Sequence, residues 1–234
     1  VYAQGDYSTH LDQAAAVIVG CEQIDAAYLD EAPRLKIVAR SGVGYDTVDV
    51  DACTKRRVYV THTPDVLSAA VADLTWALIL GIMRRIPEAD KYARDEWAGK
   101  KREFPFGWDI SGKTIGFLGL GRIGAEVAKR SQGFEAKLIY HDPVAKPDLE
   151  KKYALRPVGF DELLKASDIL SIHIPLLPTT RHIIGERELN MMKPTSVIVN
   201  TSRGSVLDQD ALTEALRSKK IAGAALDVFE EEPI

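Results

Sequence analysis

A glycine-rich loop is the clearest sign of chemistry in this chain. It reads Gly119-Leu-Gly-Arg-Ile-Gly124, follows the apolar run Thr114–Leu118 and precedes a helical pattern of small, apolar and charged residues. Gly119 allows a tight turn, Gly121 leaves room for a pyrophosphate against the backbone, and Gly124 lets the helix pack close to the strand. Free amide groups and partial positive charge at the helix start favour phosphate oxygens. The loop therefore predicts a dinucleotide site.

An acidic residue ends the next apolar run, Lys137–Tyr140. Asp142 lies near the spacing at which a carboxylate accepts hydrogen bonds from the adenosine ribose hydroxyls. A carboxylate there would repel a 2′-phosphate, and no arginine follows it closely, since the next residues are Pro143 and Val144. The pattern therefore predicts NAD rather than NADP.

Two further strand ends carry charged side chains. Arg203 follows Asn200, and its planar guanidinium would bind a 2-oxo acid beside a nicotinamide and polarise the carbonyl group. Asp227 ends the last apolar run and would form a hydrogen bond on the nicotinamide side. In the acidic run Glu230-Glu-Glu232, one carboxylate would orient a histidine and raise its pKa for proton donation, and a solvated face is the alternative interpretation.

Regular alternation of strands and helices predicts how these groups are positioned. From Lys113 onward the pattern is typical of a doubly wound parallel sheet, in which ligands bind outside the carboxyl ends of the strands. The predicted strands are Thr114–Leu118, Lys137–Tyr140, Ile169–His173, Ser196–Asn200 and Ile221–Leu226. The predicted helices are Arg122–Gln132, Asp161–Lys165, Glu186–Met191 and Gln209–Ser218.

Two halves separate near residue 65. Residues 1–65 predict a small parallel α/β unit that lacks its opening strand, with a glycine turn at Ser41-Gly-Val-Gly44. The second half begins with a long apolar helix from Val66 to about Arg85. Asp73 near its middle would cost about 2.5–3.5 kcal/mol at a bilayer centre. We therefore interpret it as a helix buried between domains or subunits and predict no membrane partner.

Composition excludes several classes of function. The chain has 234 residues, a net charge of −4 and two cysteines. This balance is typical of a soluble globular protein and predicts no binding to nucleic acid. Cys21 and Cys53 predict neither a disulfide framework nor a metal site, and a reducing cytoplasm is the expected location.

Six stretches in order resemble the D-isomer-specific 2-hydroxyacid dehydrogenase family and cover nearly the whole chain. They are Arg40-Ser-Gly-Val-Gly-Tyr-Asp46, Thr63-Pro-Asp-Val-Leu67, Gly119-Leu-Gly-Arg-Ile-Gly124, His173-Ile-Pro-Leu176, Asn200-Thr-Ser-Arg-Gly204 and Leu226-Asp-Val-Phe-Glu-Glu-Glu-Pro233. The resemblance implies a Rossmann nucleotide domain over residues 66–234, with its C-terminal part missing. It also implies a smaller, incomplete flavodoxin-like α/β substrate domain over residues 1–65.

The resemblance also assigns roles to residues. Arg203 binds the substrate carboxylate and carbonyl, and Glu232 pairs with the catalytic histidine. The backbone amides of Val43 and Gly44 hold the substrate carboxylate as a small anion-binding nest. The residues implied to contact NAD are Gly119, Gly121, Arg122, Ile123, Gly124, Asp142, His173, Ile174, Pro175, Thr201, Ser202, Arg203 and Asp227.

The family's catalytic histidine follows the Glu-Pro pair, whereas this chain stops at Ile234. None of the five histidines stands at that position, and His173 occupies a place that serves cofactor binding in the family. We therefore interpret the chain as a fragment clipped at both ends.

The substrate prediction rests on a comparison within the family. Thr63-Pro-Asp-Val-Leu67 is most similar to glyoxylate and hydroxypyruvate reductases, whereas Arg40 resembles phosphoglycerate dehydrogenases. Glu22 would repel a phosphate, so we predict an NADH-dependent reductase of a small unphosphorylated 2-oxo acid that acts as a homodimer. The alternatives are a phosphoglycerate or other D-2-hydroxyacid dehydrogenase, and a non-enzymatic NAD-sensing module like the family's transcriptional corepressors.

Overall fold

The computed structural model describes residues 7–97 and 103–234 and divides into two compact units between Leu67 and Ser68. The first unit contains a parallel sheet of three strands, which lie side by side in chain order. Its apolar core includes Ile24, Val38 and Cys53, which are fully buried. After a 3₁₀ turn at Tyr7–Gln13, its elements are β1 (Ala16–Val19), α1 (Ala26–Glu31), β2 (Ile37–Arg40), α2 (Val50–Lys55) and β3 (Tyr59–Thr61).

Side-chain caps define where the two short helices of this unit begin. The carboxylate of Asp25 accepts a hydrogen bond from the Tyr28 amide, and that of Asp49 accepts one from the Ala52 amide. An Asp at this position satisfies an amide that has no partner inside the helix, which stabilises a helix start by about 1 kcal/mol. Both helices therefore begin directly after their capping residue, at Ala26 and Val50.

The second unit alternates strands and helices from β4 (Thr114–Leu118) onward. Two helices come first, and the strands then follow one another through crossover helices and loops. The elements are α3 (Ser68–Met83), α4 (Ile86–Asp95), β4 (Thr114–Leu118), α5 (Arg122–Arg130), β5 (Lys137–His141), α6 (Pro147–Tyr153), β6 (Leu155–Pro157), α7 (Phe160–Ala166), β7 (Ile169–Ile172), α8 (Glu186–Met191), β8 (Val197–Asn200), α9 (Gln209–Arg217) and β9 (Gly223–Leu226).

All six strands of the second unit are parallel, in the order β6-β5-β4-β7-β8-β9. The order reverses between β4 and β7, and ligands of such sheets bind at this switch point, beyond the carboxyl ends of the strands. The predicted doubly wound parallel sheet is therefore confirmed, and the glycine loop lies at its switch point.

Each face of this sheet has its own apolar core. One core packs α3, α5 and α6 against the sheet and contains Trp76, Phe117 and Val127. The other packs α7, α8 and α9 against the opposite face and contains Leu163, Leu170 and Ile198. Because both faces are covered, the central strands β7 and β8 are buried at every position, as parallel sheets require.

The helix α3 is shorter than predicted. It runs from Ser68 rather than Val66, and it ends at Met83 because Arg85 adopts a left-handed conformation with φ of 54°. Its Trp76 donates to the Val127 carbonyl at 3.1 Å and stacks on Phe134, so one face of the helix is buried inside its own unit. Among the described residues no helix is long and apolar enough to cross a membrane.

The structure differs from the sequence prediction at α6, at β6 and at the last strand. The pattern did not predict α6 or β6, which lie between Asp142 and the predicted helix at Asp161. The last strand was predicted over Ile221–Leu226, but pairing with β8 begins only at Gly223. Ile221 is still buried, because it packs in the core of the α7–α9 face before the strand starts.

Candidate active site

Three glycines shape the loop between β4 and α5. Gly119 has a φ of +89°, and a Cβ there would lie 2.8 Å from the His173 carbonyl oxygen. A Cβ on Gly124 would lie 2.5 Å from the Gly119 carbonyl oxygen, so the helix and the loop touch through their backbones. Nothing lies within 4 Å of a Cβ on Gly121, which also begins α5 without a side-chain cap. The cradle thus has open space at the point where a phosphate approaches the helix start, and it fits a dinucleotide.

The carboxylate of Asp142 is attached to the same loop. One oxygen accepts a hydrogen bond from the Leu120 amide at 2.8 Å, and the other accepts one from the Val144 amide at 2.8 Å. Each carboxylate oxygen has a second lone pair, so both remain able to accept from ribose hydroxyls. These contacts hold Asp142 at the carboxyl end of β5, where the sequence predicts the ribose contact.

His173 follows β7 with its ring turned into the protein. Its Nε2 lies 2.8 Å from the Ser171 hydroxyl, and its Nδ1 is buried without a hydrogen-bond partner among the described residues. Burial lowers the pKa of His173 to about 3, so the ring is neutral at physiological pH. His173 is therefore unsuited to donate a proton to a substrate, in agreement with its interpretation as part of the cofactor site.

The pKa of His173 predicts how stability depends on pH. A lowered folded-state pKa means that the unfolded chain takes up a proton below about pH 6.5 while the folded protein does not, so stability is lost as the pH falls. Between pH 6.5 and 5 we expect the free energy of unfolding to fall by roughly 1–2 kcal/mol from this group alone. Urea titrations of wild type and His173→Gln across this range measure it. The fall should be smaller by that amount in the variant, and equal slopes would contradict the assignment.

Asn200 organises the loop that carries Arg203. It is completely buried at the end of β8, and its Oδ1 accepts from both the amide and the hydroxyl of Ser202, at 3.0 and 2.8 Å. Its Nδ2 donates to the Arg203 carbonyl at 2.9 Å. The neighbouring Thr201 hydroxyl lies 2.9 Å from that of Thr75 on α3. One buried amide side chain therefore sets the path of the backbone from residue 200 to residue 203.

The acidic segment, defined as residues 227–233, follows β9 beside this loop. The Asp227 amide donates to the Asn200 carbonyl at 3.0 Å, while its side chain is exposed. Glu232 is also exposed, and its Oε1 accepts from the Phe229 amide at 2.9 Å. Glu230 is the one member of the acidic run that packs inward, and its carboxylate lies 2.5 Å from the Nε2 of His182. The solvated-face interpretation of the whole run is therefore wrong for Glu230.

Comparison with known proteins identifies the family. Residues 76–234 match the family model described as D-isomer specific 2-hydroxyacid dehydrogenase, NAD binding domain. The chain belongs to this family. The match confirms the resemblance seen in the six sequence stretches and confirms NAD as the cofactor of the second unit.

Two glyoxylate reductases illustrate the likeness in sequence. That of Thermococcus litoralis is 48% identical over 226 residues, which cover 94% of this chain and 68% of that protein. That of Aeropyrum pernix is 46% identical over 242 residues, covering 100% of this chain and 72% of that protein.

Solved structures of the same family match the fold. The D-lactate dehydrogenase of Aquifex aeolicus, complexed with NAD and lactic acid, is 34% identical with a TM-score of 0.89, covering 96% of this chain and 67% of that one. A glyoxylate reductase from Paecilomyes thermophila is 37% identical with a TM-score of 0.87, and the match covers 97% of this chain and 72% of that one. This chain is thus an NAD-dependent D-2-hydroxyacid dehydrogenase by family.

The sequence-predicted residues of the dehydrogenase site fall on two units. In the second unit the residues implied to contact NAD follow the carboxyl ends of β4, β5, β7, β8 and β9. In the first unit Val43 and Gly44 follow β2, where His62 Nδ1 lies 2.9 Å from the Val43 carbonyl oxygen. Among residues 7–97 and 103–234 neither the Val43 nor the Gly44 amide has a hydrogen-bond partner.

Sequence reasoning missed three residues near the Arg203 loop. Asn200 was noted only as a strand end, and neither His182 nor Gln209 was singled out. The signal for Asn200 is an amide that directly follows the fully apolar run Val197–Val199. No local pattern marks His182, because its contact with Glu230 joins positions 48 residues apart.

Proposed function

We propose that this protein reduces a small unphosphorylated 2-oxo acid of the glyoxylate type with NADH and forms the D-2-hydroxy acid. The observation that carries the proposal is the Arg203 loop, which buried Asn200 holds at the end of β8 in the NAD-binding unit. Support for the substrate class comes from relatives named glyoxylate reductase that share nearly half of the aligned residues.

Arg203 is proposed to bind the substrate. Its guanidinium is permanently charged and presents paired N–H donors that match a carboxylate and an adjacent carbonyl oxygen. The side chain is half-buried, which strengthens such charged hydrogen bonds relative to bulk water. When bound, NADH supplies a hydride to the 2-oxo carbon. Arg203 then stabilises the negative charge that develops on the carbonyl oxygen.

The oxygen must also receive a proton, and the resemblance assigns this step to a histidine downstream of Pro233. We propose that Glu232 orients that histidine and favours its protonated form, since a nearby carboxylate stabilises the imidazolium. Support comes from the exposure of Glu232. One oxygen of its carboxylate accepts from the Phe229 amide, and a carboxylate has further acceptor sites beyond that bond.

Contacts in the first unit support an unphosphorylated substrate. At the carboxyl end of β1 the carboxylate of Glu22 accepts a hydrogen bond from the Gly20 amide, so an acid stands at this edge. The guanidinium of Arg40 lies against Gly42 and donates to the Ser41 carbonyl at 2.5 Å. The Arg40 guanidinium therefore binds its own loop, while the carboxylate of Glu22 would repel a phosphate.

The unpartnered amides of Val43 and Gly44 support a further proposal, that they bind the substrate carboxylate. Within the part of the chain that the structure describes, these two successive amides have no hydrogen-bond partner, and their positive partial charge suits a carboxylate oxygen. The division of function between a substrate unit and a cofactor unit, the homodimer and the cytoplasmic location stay predictions. So does activity on hydroxypyruvate.

Steady-state oxidation of NADH by the full-length protein tests the proposal. Glyoxylate, hydroxypyruvate and phosphorylated hydroxypyruvate are compared as substrates, each with NADH and with NADPH. We expect kcat/KM to be about 100-fold higher for the unphosphorylated acids, and higher with NADH than with NADPH. Preference for the phosphorylated acid would indicate the phosphoglycerate alternative. NADH binding without turnover of any 2-oxo acid would favour the sensing role.

A further inference from the structure

The acidic segment is held at three points along its length. Its first amide, that of Asp227, donates to Asn200. Its middle peptide, Phe229–Glu230, lies directly on Gly204, where a Cβ would come within 1.9 Å of the Phe229 carbonyl carbon. Gly204 is the neighbour of Arg203 in the chain. The backbone that carries the substrate-binding arginine and the backbone that leads to Glu232 are therefore in contact.

Glu230 forms the third attachment of the acidic segment. One carboxylate oxygen lies 2.5 Å from the Nε2 of His182, and the other accepts from the Gln209 amide at 3.2 Å. The Glu230 amide in turn donates to the side-chain oxygen of Gln209 at 3.2 Å. Gln209 begins α9, so the carboxylate also lies at the positive end of a helix, which favours its charge. Glu230 is thus bound through its side chain and its backbone.

The charge of Glu230 is stabilised in place. Burial opposes ionisation, but the hydrogen bonds from His182 and from the Gln209 amide outweigh it, and the pKa of Glu230 is lowered. Arg181 contributes in the same direction from 3.6 Å. The carboxylate therefore stays ionised and keeps both hydrogen bonds at neutral pH.

His182 is fixed independently of Glu230. It adopts a left-handed conformation with φ of 51°, and its amide donates to the Ser205 carbonyl at 2.8 Å, two residues beyond Arg203. Its Nδ1 lies 3.9 Å from the carboxylate of Asp208. His182 therefore joins the Arg203 loop, through Ser205, to the acidic segment, through Glu230.

We propose that His182, Glu230 and Gln209 form a positioning clamp that holds the Phe229–Glu230 peptide against Gly204 and thereby sets Glu232 relative to Arg203. The clamp residues do not touch the substrate; they act through Arg203 and Glu232. The Phe229 amide, which donates to Glu232, belongs to the same held peptide. The proposal rests on the proposed function, since it concerns the geometry of that reaction.

The test compares Glu230→Gln, His182→Gln and the double variant with Glu231→Gln, a matched control at the exposed neighbouring position. Two measurements are made on the full-length protein. Hydrogen exchange reports the protection of the amides of residues 227–232 without any substrate. Kinetics with NADH and glyoxylate report kcat and KM, and fluorescence titration reports the Kd for NADH.

We expect exchange in the acidic segment to accelerate about 10-fold in both single variants, and kcat to fall about 10-fold with the Kd for NADH unchanged. In the double variant the changes in exchange rate and in kcat should be no larger than in either single variant, because the two side chains act as a pair. Glu231→Gln should have the same exchange rates, kcat and Kd for NADH as wild type.

Other outcomes decide against the clamp. Unchanged exchange shows that Glu230 does not hold the segment. Faster exchange with unchanged kcat shows a purely structural contact and overturns the positioning role. Absence of glyoxylate turnover in wild type refutes the proposed function instead, and the exchange data still decide whether the contact holds the segment.

Discussion

Arg203→Ala is expected to lower kcat/KM for glyoxylate about 10³-fold, because the charge that develops on the carbonyl oxygen loses its donor. The Kd for NADH should change only a few-fold. The guanidinium donates to the Ser202 carbonyl at 2.7 Å, and this bond is lost in the variant. The loop itself should survive, since buried Asn200 holds it through the Arg203 carbonyl and through the amide of Ser202. Steady-state kinetics together with fluorescence titration of NADH separate the two effects.

Two further variants test whether the loss of activity is specific to the guanidinium of Arg203. Arg203→Lys keeps the charge but loses the planar pair of donors, and we expect it to recover about tenfold of the lost activity at most. Arg217→Ala removes an exposed arginine from the last turn of α9 and should behave as wild type. Full turnover in Arg203→Ala would remove the basis of the proposed function.

The glycine loop and Asp142 could be predicted from sequence because their chemistry is local. A tight turn, a close approach of two backbones and a carboxylate at the next strand end all fall within one β-α-β unit. The structure places Gly119 at a φ of +89° and brings Asp142 to within 2.8 Å of the Leu120 amide. Neither contact requires information from distant residues.

The helix α6 and the strand β6 could not be predicted in the same way. The strand has three residues at the edge of the sheet, and only Leu155 among them is buried, so no apolar alternation marks it. The helix buries only Tyr153 and is otherwise rich in charged residues. Elements at an edge bury too little for periodicity to reveal them.

The role of Glu230 was hidden for a different reason. Three consecutive glutamates have the same local pattern, and only tertiary contacts distinguish them. His182 lies in a loop and Gln209 begins α9; both bind Glu230, while Glu231 and Glu232 stay exposed. A run of like residues predicts a charged surface, but it does not predict which member packs inward.

Gly204→Ala is expected to destabilise the NAD-binding unit by about 3 kcal/mol or more and to abolish turnover of glyoxylate. A methyl group there would lie 1.9 Å from both the carbonyl carbon and the carbonyl oxygen of Phe229. These are backbone atoms, so no side chain can turn aside, and the acidic segment must move as a whole. Thermal or urea unfolding measures the first effect, and NADH oxidation measures the second.

Gly133→Ala is the matched control, because nothing lies within 4 Å of a Cβ at that exposed glycine. Its free energy of unfolding should stay within about 0.5 kcal/mol of wild type, and its turnover of glyoxylate within about twofold. If Gly204→Ala loses turnover while most molecules remain folded and bind NADH, the separation of the two backbones matters for chemistry itself. Normal turnover in that variant would mean that the acidic segment can move away from the Arg203 loop without loss, and Glu232 would then have no fixed place in the reaction.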